Sequence, residues 1–556
     1  MTSNNDLYSD RRNILLLILL CVLLYVPGIS SFPLCEPEEA RCALTTSEML
    51  QSGNWLMPTL CGKNYYNKPA PYYWLTAGVQ WLTDDSEFAG RLVSAIFAAF
   101  AVVLAYKLVR KFERKSVAML AGIMLATCME FWIMGRYYRM DMPFVTSMWA
   151  AMYYFASRET CAVVDRRAGN SCWRGFYFWA AVATLFKGPA GLALPVMVVG
   201  TYLLATRQFR RILEFFNPAG MAIYLLVACP WFIATSIKYP EYFGAFFGRE
   251  NFGRVTGGGD LGHSWPGILY IPILFAGCLP WCVYIPGAFI RYVPMFFGKT
   301  GREKIIVFLM TATVMPLLFF MFSHTKLVSY ILPVFPPLMV MLGVFVGRWS
   351  ASSQPDKLMR IGAWTLMEFV AVMTVVIVGF EWKFRWLDLS AVVPCVIVFY
   401  AIFRMARFIR TERRVRFIHW SAGCVVMLQL YMLVHIVPSG LEFLSSRREA
   451  QLLPQAATNV CLYPDENLSF MFYTGHYTAP VISKRDTAAF ENLTAELNSS
   501  RPIWCFVSGQ KYLKKLQQAV PAVKIIDSRN DNFLVTNSSG TTLSQNAVQP
   551  LKNVEK

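Results

Sequence analysis

The chain has 556 residues, of which 56% are hydrophobic and 15% are charged, and its formal net charge is +18. This composition excludes an ordinary soluble domain and predicts a polytopic α-helical membrane protein. Most of the positive charge lies in short loops between apolar segments. Membrane topology therefore accounts for the charge, and no nucleic-acid partner is expected.

Apolar runs of about 20 residues, long enough to cross a bilayer, recur between Ile14 and Val437. They predict about 13 transmembrane helices. The predicted spans cover residues 13–33, 87–108, 116–134, 140–157, 172–186, 188–206, 217–236, 266–290, 303–322, 326–347, 359–380, 386–406 and 416–437. The first run is expected to be retained as a helix, because it is longer than the apolar core of a signal peptide.

Clusters of Lys and Arg occupy every second loop, and they predict the orientation. Arg11 and Arg12 precede the first span, and comparable clusters stand at residues 110–115, 207–211 and 407–414. Basic residues in short loops mark the cytoplasmic side of a membrane. The N-terminus is therefore expected in the cytoplasm, and an odd number of spans places the C-terminus outside.

The first external loop, from about Pro33 to Glu87, is long and rich in Trp and Tyr. Aromatic residues concentrate at membrane–water interfaces, so this loop is expected to contain short helices that lie at the interface. The pattern from Glu39 to Gln51 predicts one of them, and Gly53 is its natural stop.

After about Ser439 the composition becomes that of a soluble domain. Strands are predicted at 459–463, 479–482, 502–507 and 523–526, with helices at 486–498 and 509–519, which indicates a small α/β domain over 439–536. The transmembrane domain covers 1–438, and the polar residues 537–556 predict a disordered tail. An oxidising exterior permits a disulfide between Cys461 and Cys505.

Acidic groups at the external ends of the spans are candidates for chemistry, because charges near a bilayer are costly. Glu36, Glu38 and Glu39 crowd three carboxylates just after the first span, next to Arg41. Such crowding can raise a pKa or bind a metal, although a solvated helix N-terminus is the structural alternative. Asp141 stands at the start of the fourth span, where an ordinary helix start is the alternative.

Basic groups share the same predicted compartment, and for Lys187 the structural alternative is a side chain that reaches to the phosphate headgroups of the membrane. These groups and their neighbours are Lys68, Lys187, Glu250 with Arg254 and His263, and Lys326 with Tyr330. Together, the two acidic and four basic sites suit a phosphate-bearing lipid. Lys and Arg would hold its phosphate while a carboxylate acts on a nucleophile or a metal.

Several of these motifs, in chain order, resemble those of the lipid-A aminoarabinose transferases and the wider protein-O-mannosyltransferase-like glycosyltransferases. They are Glu38-Glu39-Ala40-Arg41, Glu48-Met49-Leu50, Gly53-Asn54-Trp55, Lys68-Pro69, Asp141-Met142-Pro143, Lys187-Gly188-Pro189, Glu250-Asn251-Phe252 and Lys326-Leu327. The resemblance implies a GT-C fold with interfacial helices in the first external loop and a periplasmic C-terminal α/β domain. It also implies a multi-pass protein of the bacterial inner membrane.

The implied activity is inverting transfer of a sugar, aminoarabinose-like or another aminosugar or hexose, from a polyprenyl phosphate carrier to lipid A at the periplasmic face. The resemblance implies catalytic roles for Glu38 and Asp141. The substrate-binding residues are expected to be Glu39, Arg41, Tyr65, Tyr66, Lys68, Lys187, Glu250, Arg254, Lys326 and Tyr330. For the three tyrosines, anchoring at the membrane interface is the alternative. A divalent cation is the candidate cofactor, with Glu38, Asp141 and His263 as its candidate ligands.

Three positions depart from the family pattern, and the sugar is left open. Glu38 stands where the first acidic residue of the family is usually Asp, which keeps the carboxylate but changes its reach. Cys42 replaces the customary Tyr, and Asn67 stands where the aminoarabinose enzymes often have a Glu linked to metal binding. Transfer to protein Ser or Thr, or to another envelope glycan, is the alternative within the same enzyme class. A lipid or sugar transporter or flippase is the alternative from another class, and it predicts charges near the bilayer midplane together with inverted repeats.

Overall fold

The computed structural model describes residues 4–160, 166–253, 265–294, 301–352, 354–385 and 389–538. The chain divides into two compact units. The first comprises residues 1–29, 55–57 and 66–436, and the second comprises residues 30–54, 58–65 and 437–556. The boundaries predicted at 438 and 536 stay predictions. The second unit also includes two stretches of the predicted first loop, which those boundaries do not assign to it.

The described part of the first unit is built from helices. Its α-helices are Asn4–Tyr25, Pro71–Thr83, Ser86–Arg110, Lys115–Thr127, Met129–Met134, Asp141–Glu159, Arg166–Lys187, Ala190–Ala205, Pro218–Lys238, Glu241–Phe243, Tyr270–Gly277, Ile285–Tyr292, Gly301–Phe322, Phe335–Ala351, Lys357–Arg385, Leu389–Arg410 and Arg414–His435. Shorter 3₁₀ helices are Phe209–Phe216, Gly267–Leu269, Trp281–Tyr284 and Val328–Val334, and Gly244–Phe252 is a π-helix.

Six helices in the described residues are long and apolar enough to cross a membrane, or up to seven if a bent pair counts as one span. This confirms a polytopic helical protein, although the predicted total of about 13 spans is not confirmed. The bent pair, Gly267–Gly277 and Trp281–Tyr292, turns by 110° where a continuous span was predicted. Pro280 lies in the break, and because proline has no N–H it cannot continue the helical hydrogen-bond ladder.

Small residues bring the central helices of this unit close together. A Cβ on Gly343 of the Phe335–Ala351 helix would lie 2.5 Å from Cα of Ala121. The backbone of that helix therefore packs directly on the Lys115–Thr127 helix, as is common where helices associate within membranes. The Asp141–Glu159 helix is buried along most of its length, so its first residue is held in a fixed position.

The second unit contains the predicted first-loop helix and a small sheet. The helix runs from Glu38 to Ser52 and ends at Gly53 in the left-handed conformation, with φ of 67°, as predicted. A two-stranded hairpin follows it, and the other described helices lie before or between the strands of the sheet. These elements are the strands Thr59–Leu60 and Lys63–Asn64 and the helices Val437–Leu441, Glu442–Leu444, Arg447–Gln451, Leu468–Thr474, Thr487–Leu497 and Gln510–Ala519.

The sheet has four strands, in the spatial order Val460–Tyr463, Trp504–Ser508, Asn532–Thr536 and Lys524–Arg529. The first pair is parallel and the other two pairs are antiparallel. This confirms the predicted small α/β domain. Cys461 and Cys505 face each other across the parallel pair, and both are free thiols in the structure.

Two details of this domain differ from the sequence prediction. The predicted strand at 479–482 makes only an isolated bridge from Val481 to Leu462, where Pro480 contributes a carbonyl but has no N–H to donate. The strand Asn532–Thr536 was not predicted and lies between two strands that were. The predicted tail falls almost entirely on residues 539–556, outside the described residues.

Candidate active site

The candidate site in the first unit is centred on Asp141, the first residue of a helix. Its side chain is 1% exposed, and its Oδ2 lies 2.6 Å from Nε of Arg139. Its Oδ1 accepts a hydrogen bond from Nζ of Lys187. The contact with Arg139 is close but not aligned as a hydrogen bond, and Oδ2 has no other hydrogen-bond partner among the described residues. One carboxylate is therefore held by two cations and keeps acceptor capacity.

Lys187 reaches Asp141 from the end of the Arg166–Lys187 helix. Its ammonium lies 5.1 Å from the ring centre of Phe144 and 5.0 Å from that of Tyr330, so it also makes two cation–π contacts. The next residue, Gly188, has φ of +95°, a conformation that favours glycine. A Cβ there would lie 2.7 Å from the ring of Phe246, so the turn needs glycine for space as well.

Two other predicted lysines add positive charge to the same unit. Lys68 lies near enough to Asp141 to interact with it electrostatically. Lys326 is 8% exposed, and its ammonium donates to the carbonyl oxygen of Ser323 at 2.5 Å. Tyr330, which contacts Lys187, lies in the 3₁₀ helix that begins two residues after Lys326. The structure thus places Lys68 and Lys187 near Asp141 and brings Tyr330 to Lys187.

The sequence prediction missed two charged residues in this site. Arg139 forms an ion pair with Asp141, and the sequence clue to this contact was the position of Arg139 two residues before that carboxylate. Glu130 lies within reach of the charges of both Asp141 and Arg139. Glu130 lies inside an apolar run that predicts a transmembrane span, and no motif around it indicated a role in the site.

The remaining predicted residues of the first unit lie in and near the segment from Glu241 to Gly253. Glu250 is buried, at 7% exposure, in the π-helix Gly244–Phe252. Tyr66 donates a hydrogen bond to Glu241 at 3.3 Å, and its ring lies 6.3 Å from that of Tyr242. Arg254 and His263 lie outside the described residues, so their predicted roles stay predictions.

The predicted carboxylates of the first loop lie in the second unit. Glu38 forms an ion pair with Arg41 at 3.0 Å. Glu39 is fully buried, and its carboxylate accepts a hydrogen bond from the backbone N–H of Cys35 at 3.0 Å. Glu36 accepts from the N–H of Ser469. Burial raises the pKa of the Glu36 carboxyl, although the bonds from Ser469 act in the opposite direction.

Tyr65 also belongs to the second unit, where its N–H donates to the carbonyl oxygen of Pro58 at 2.8 Å. Within each unit, the described residues contain no group of three His, Cys, Asp or Glu side chains placed to hold one metal ion. Asp141 already binds two cationic side chains, and these neutralise the negative charge that would attract a divalent cation. The predicted metal site stays a prediction, and no reaction step is derived through it.

The geometry around Asp141 suits an anionic, phosphate-bearing ligand. Lys187, Arg139 and Lys68 supply positive charge, and Arg and Lys are the side chains that bind phosphate oxygens most strongly. A buried carboxylate at a helix N-terminus fixes the positions of these cations. Preorganised charge of this kind can stabilise the negative charge that develops on a leaving phosphate.

Comparison with known proteins gives a consistent picture. The profile of the dolichyl-phosphate-mannose-protein mannosyltransferase family matches residues 67–233. An undecaprenyl phosphate-α-4-amino-4-deoxy-L-arabinose arabinosyl transferase from an Enterobacter species is 29% identical over 75% of this chain and 75% of its own length. The corresponding transferase of Erwinia tasmaniensis is 30% identical over 67% of this chain and 66% of its own length.

The fold is similar to that of solved membrane enzymes. The crystal structure of ArnT from Cupriavidus metallidurans, bound to undecaprenyl phosphate, matches with a TM-score of 0.74 at 19% identity, over 95% of this chain and 98% of that chain. An oligosaccharyltransferase from Archaeoglobus fulgidus in the apo form matches with a TM-score of 0.51 at 10% identity, over 97% of this chain and 75% of that chain.

Proposed function

We propose that this chain transfers 4-amino-4-deoxy-L-arabinose from undecaprenyl phosphate to lipid A. The chain belongs to the aminoarabinose-transferase and protein-mannosyltransferase family of GT-C glycosyltransferases, which use polyprenyl-phosphate-linked sugars. The observation that carries this proposal is the buried Asp141 held between Arg139 and Lys187. The arabinosyl transferases that align with three quarters of the chain support the sugar and the carrier.

The reaction follows from the charges of this site. An oxygen of the acceptor attacks the anomeric carbon of the sugar as the bond from that carbon to the carrier phosphate oxygen breaks. The configuration inverts, and undecaprenyl phosphate leaves with the bonding electron pair. Lys187, Arg139 and Lys68 stabilise the charge that gathers on this leaving group, a role worth about 3–4 kcal/mol per well-placed donor.

Asp141 acts on this reaction mainly by positioning. It fixes Lys187 and Arg139, and its Oδ2 keeps acceptor capacity for a substrate group. A lipid A phosphate is already anionic at neutral pH, so it needs no strong base to attack. If the acceptor is instead a protein hydroxyl, a carboxylate must take its proton. We propose that Glu38 orients or activates the acceptor.

The chain is a multi-pass protein of the inner membrane, and we propose that the candidate site faces the periplasm and the N-terminus the cytoplasm. The helix Ser86–Arg110 supports this orientation. Ser94, in its first half, donates to the carbonyl oxygen of Tyr137 at 2.7 Å, close to the site, and its last turn carries Lys107 and Arg110. At 1.5 Å per residue, Ser94 and Arg110 are about 24 Å apart along the helix, so the site and the basic end lie toward opposite sides of a bilayer.

A second candidate reaction is transfer of mannose to protein hydroxyls, because the mannosyltransferase profile matches residues 67–233. The test is mass spectrometry of lipid A and of envelope glycoproteins from cells that lack other transferases of this family. These cells express the wild-type chain, Asp141→Asn, or Glu412→Gln, an exposed carboxylate that serves as the matched control.

The proposal predicts an aminopentose on lipid A with the wild type and the control, and none with Asp141→Asn. A hexose on proteins, with unmodified lipid A, would support the second reaction. Modified lipid A in cells that express Asp141→Asn would contradict the assigned site.

A further inference from the structure

The second unit contains a cavity of about 670 Å³ whose lining includes none of the residues described around Asp141. It opens between the C-terminal end of the Glu38–Ser52 helix, the hairpin at Thr59–Asn64 and the segment from Gly475 to Pro480. Its volume is within the range typical of small-molecule sites. Its polar lining includes Glu48, Gln51, Thr59, Thr458, His476 and Tyr477.

Glu48 is the acidic residue of this lining and is 7% exposed. Its two carboxylate oxygens share the backbone N–H of Gly62, at 3.2 and 3.4 Å. An ionised carboxylate can accept about four hydrogen bonds. One shared N–H therefore leaves Glu48 with acceptor capacity inside a polar cavity, and a buried charge of this kind gains most from additional donors.

His476 offers a second acceptor. Its Nε2 lies 3.0 Å from the carbonyl oxygen of Ala457, and a carbonyl can only accept, so Nε2 is the atom that carries the proton. In a neutral imidazole the other nitrogen, Nδ1, is then an acceptor. Glu48 and His476 together present acceptors, while Thr59, Thr458 and Tyr477 supply hydroxyl groups that can donate or accept.

This set of groups selects a class of ligand. The lining contains no Lys or Arg, and the charge of Glu48 repels anions, so a phosphate is not the group that it fits. A carboxylate, an imidazole acceptor and several hydroxyls complement a ligand rich in O–H and N–H donors. A sugar ring has this character, and the amphipathic side chain of Tyr477 can cover its less polar face.

We propose that this cavity binds a saccharide unit of the acceptor, whose hydroxyl and amide groups donate to Glu48 and His476. The inference rests on the proposed function, in which the acceptor is lipid A, a glycolipid. It assigns acceptor recognition to the second unit and leaves binding of the carrier phosphate to the first.

The test compares Glu48→Gln, Gln51→Trp and the control Glu491→Gln in the full chain, reconstituted in lipid nanodiscs. Gln51 is exposed at the end of its helix, so tryptophan there fills the cavity without disturbing the Glu48–Gly62 contact. Glu491 is an exposed carboxylate of the same unit, away from the cavity. The melting midpoint of each variant is measured first, because Glu48 also supports the hairpin.

Transfer is then measured as lipid A is varied at saturating donor. A hydrogen bond to a charged group is worth about 1.5–3 kcal/mol, so Glu48→Gln and Gln51→Trp should raise the KM for lipid A by roughly 10- to 100-fold. The KM for the donor and kcat should stay close to those of the wild type, and Glu491→Gln should change none of them. An unchanged KM for lipid A in folded Gln51→Trp would overturn the proposal.

A binding experiment distinguishes failure of the cavity proposal from failure of the proposed function. The probe is the glucosamine disaccharide of lipid A without phosphates or acyl chains. It should inhibit transfer to lipid A by the wild type and should lose this effect in Gln51→Trp. If the wild type transfers nothing to lipid A, the proposed function fails, and the cavity is judged by direct calorimetric titration with the same disaccharide. An absence of binding there would overturn the cavity proposal as well.

Discussion

The ion pair between Asp141 and Lys187 offers the sharpest internal test of the site. Asp141 is 1% exposed and the side chain of Lys187 is 15% exposed, so water screens their interaction little. Removing one partner of a buried pair costs about 3–5 kcal/mol when the other is left alone. Arg139 remains beside Asp141 in Lys187→Met, so we expect a loss nearer 1–3 kcal/mol in the free energy of unfolding.

A double-mutant cycle divides this loss into its parts. Asp141→Asn removes the charge that Lys187 neutralises, so the double variant should be more stable than the two single losses added together. The expected coupling is about 1–3 kcal/mol, in the range seen for residues in direct contact. Transfer should fall by roughly 100- to 1000-fold in Lys187→Met, because that side chain also stabilises the leaving phosphate.

The assays are equilibrium or thermal unfolding in detergent and transfer by the same preparations. The double variant should lose less stability than the two single losses added together, but it should not regain transfer. The matched control is the ion pair of Arg348 and Glu113, at 2.8 Å, which joins the last turn of the Phe335–Ala351 helix to the turn that precedes the Lys115–Thr127 helix. Its cycle should leave transfer unchanged. Additive stability losses at Asp141 and Lys187, or recovered transfer in the double variant, would refute the reasoning.

Three further predictions concern Gly188, Glu36 and divalent cations. Gly188→Ala places a Cβ at φ of +95° and 2.7 Å from the ring of Phe246, so it should cost about 1–3 kcal/mol of stability, whereas Gly200→Ala, which has open space around it, should not destabilise the protein in the same melting assay. Because burial raises the pKa of Glu36, its contribution to stability is present when the group is protonated and is lost as pH rises through the folded-state pKa. Glu36→Gln cannot ionise, so its melting midpoint relative to the wild type should increase from acid to neutral pH, and a constant difference would contradict this. Transfer should largely survive removal of divalent cations by a chelator, because Lys187 and Arg139 already neutralise Asp141, and a loss that Mg²⁺ restores would instead support the predicted metal site.

Short-range patterns predicted several parts of the fold correctly. The first-loop helix has its acidic start at Glu38 and its glycine stop at Gly53, both of which are local signals. The alternation of apolar strands and amphipathic helices after residue 439 gave the α/β character of the C-terminal segment. The polytopic class followed from hydrophobic length alone.

Features set by long-range contacts were not predictable in the same way. Pro280 was a local signal for the 110° bend after Gly277, but the apolar run continues across it, so its length alone predicted one continuous span. The joining of residues 30–54 to the C-terminal segment in one unit depends on bonds such as the one from the Leu34 N–H to the Tyr473 hydroxyl, between residues far apart in the chain. The hydrophobic periodicity of the sequence cannot predict a bond of this kind.

The candidate site shows the same division. Asp141 and Lys187 were singled out separately from their motifs, and only the fold brings them together. Glu130 escaped notice because a single carboxylate in an apolar run looks like a tolerated charge in a span. Residues close in space but distant in sequence need the three-dimensional structure to be recognised as one site.

The most direct test of the central claim is transfer by the purified chain. The reaction contains the reconstituted protein, undecaprenyl phosphate-linked 4-amino-4-deoxy-L-arabinose and lipid A, and both lipid products are followed by mass spectrometry. The account predicts that lipid A gains one aminopentose as undecaprenyl phosphate is released in equal amount, and that Asp141→Asn abolishes both. A folded wild-type protein that leaves lipid A unmodified, or an Asp141→Asn variant that modifies it at the wild-type rate, would contradict the account.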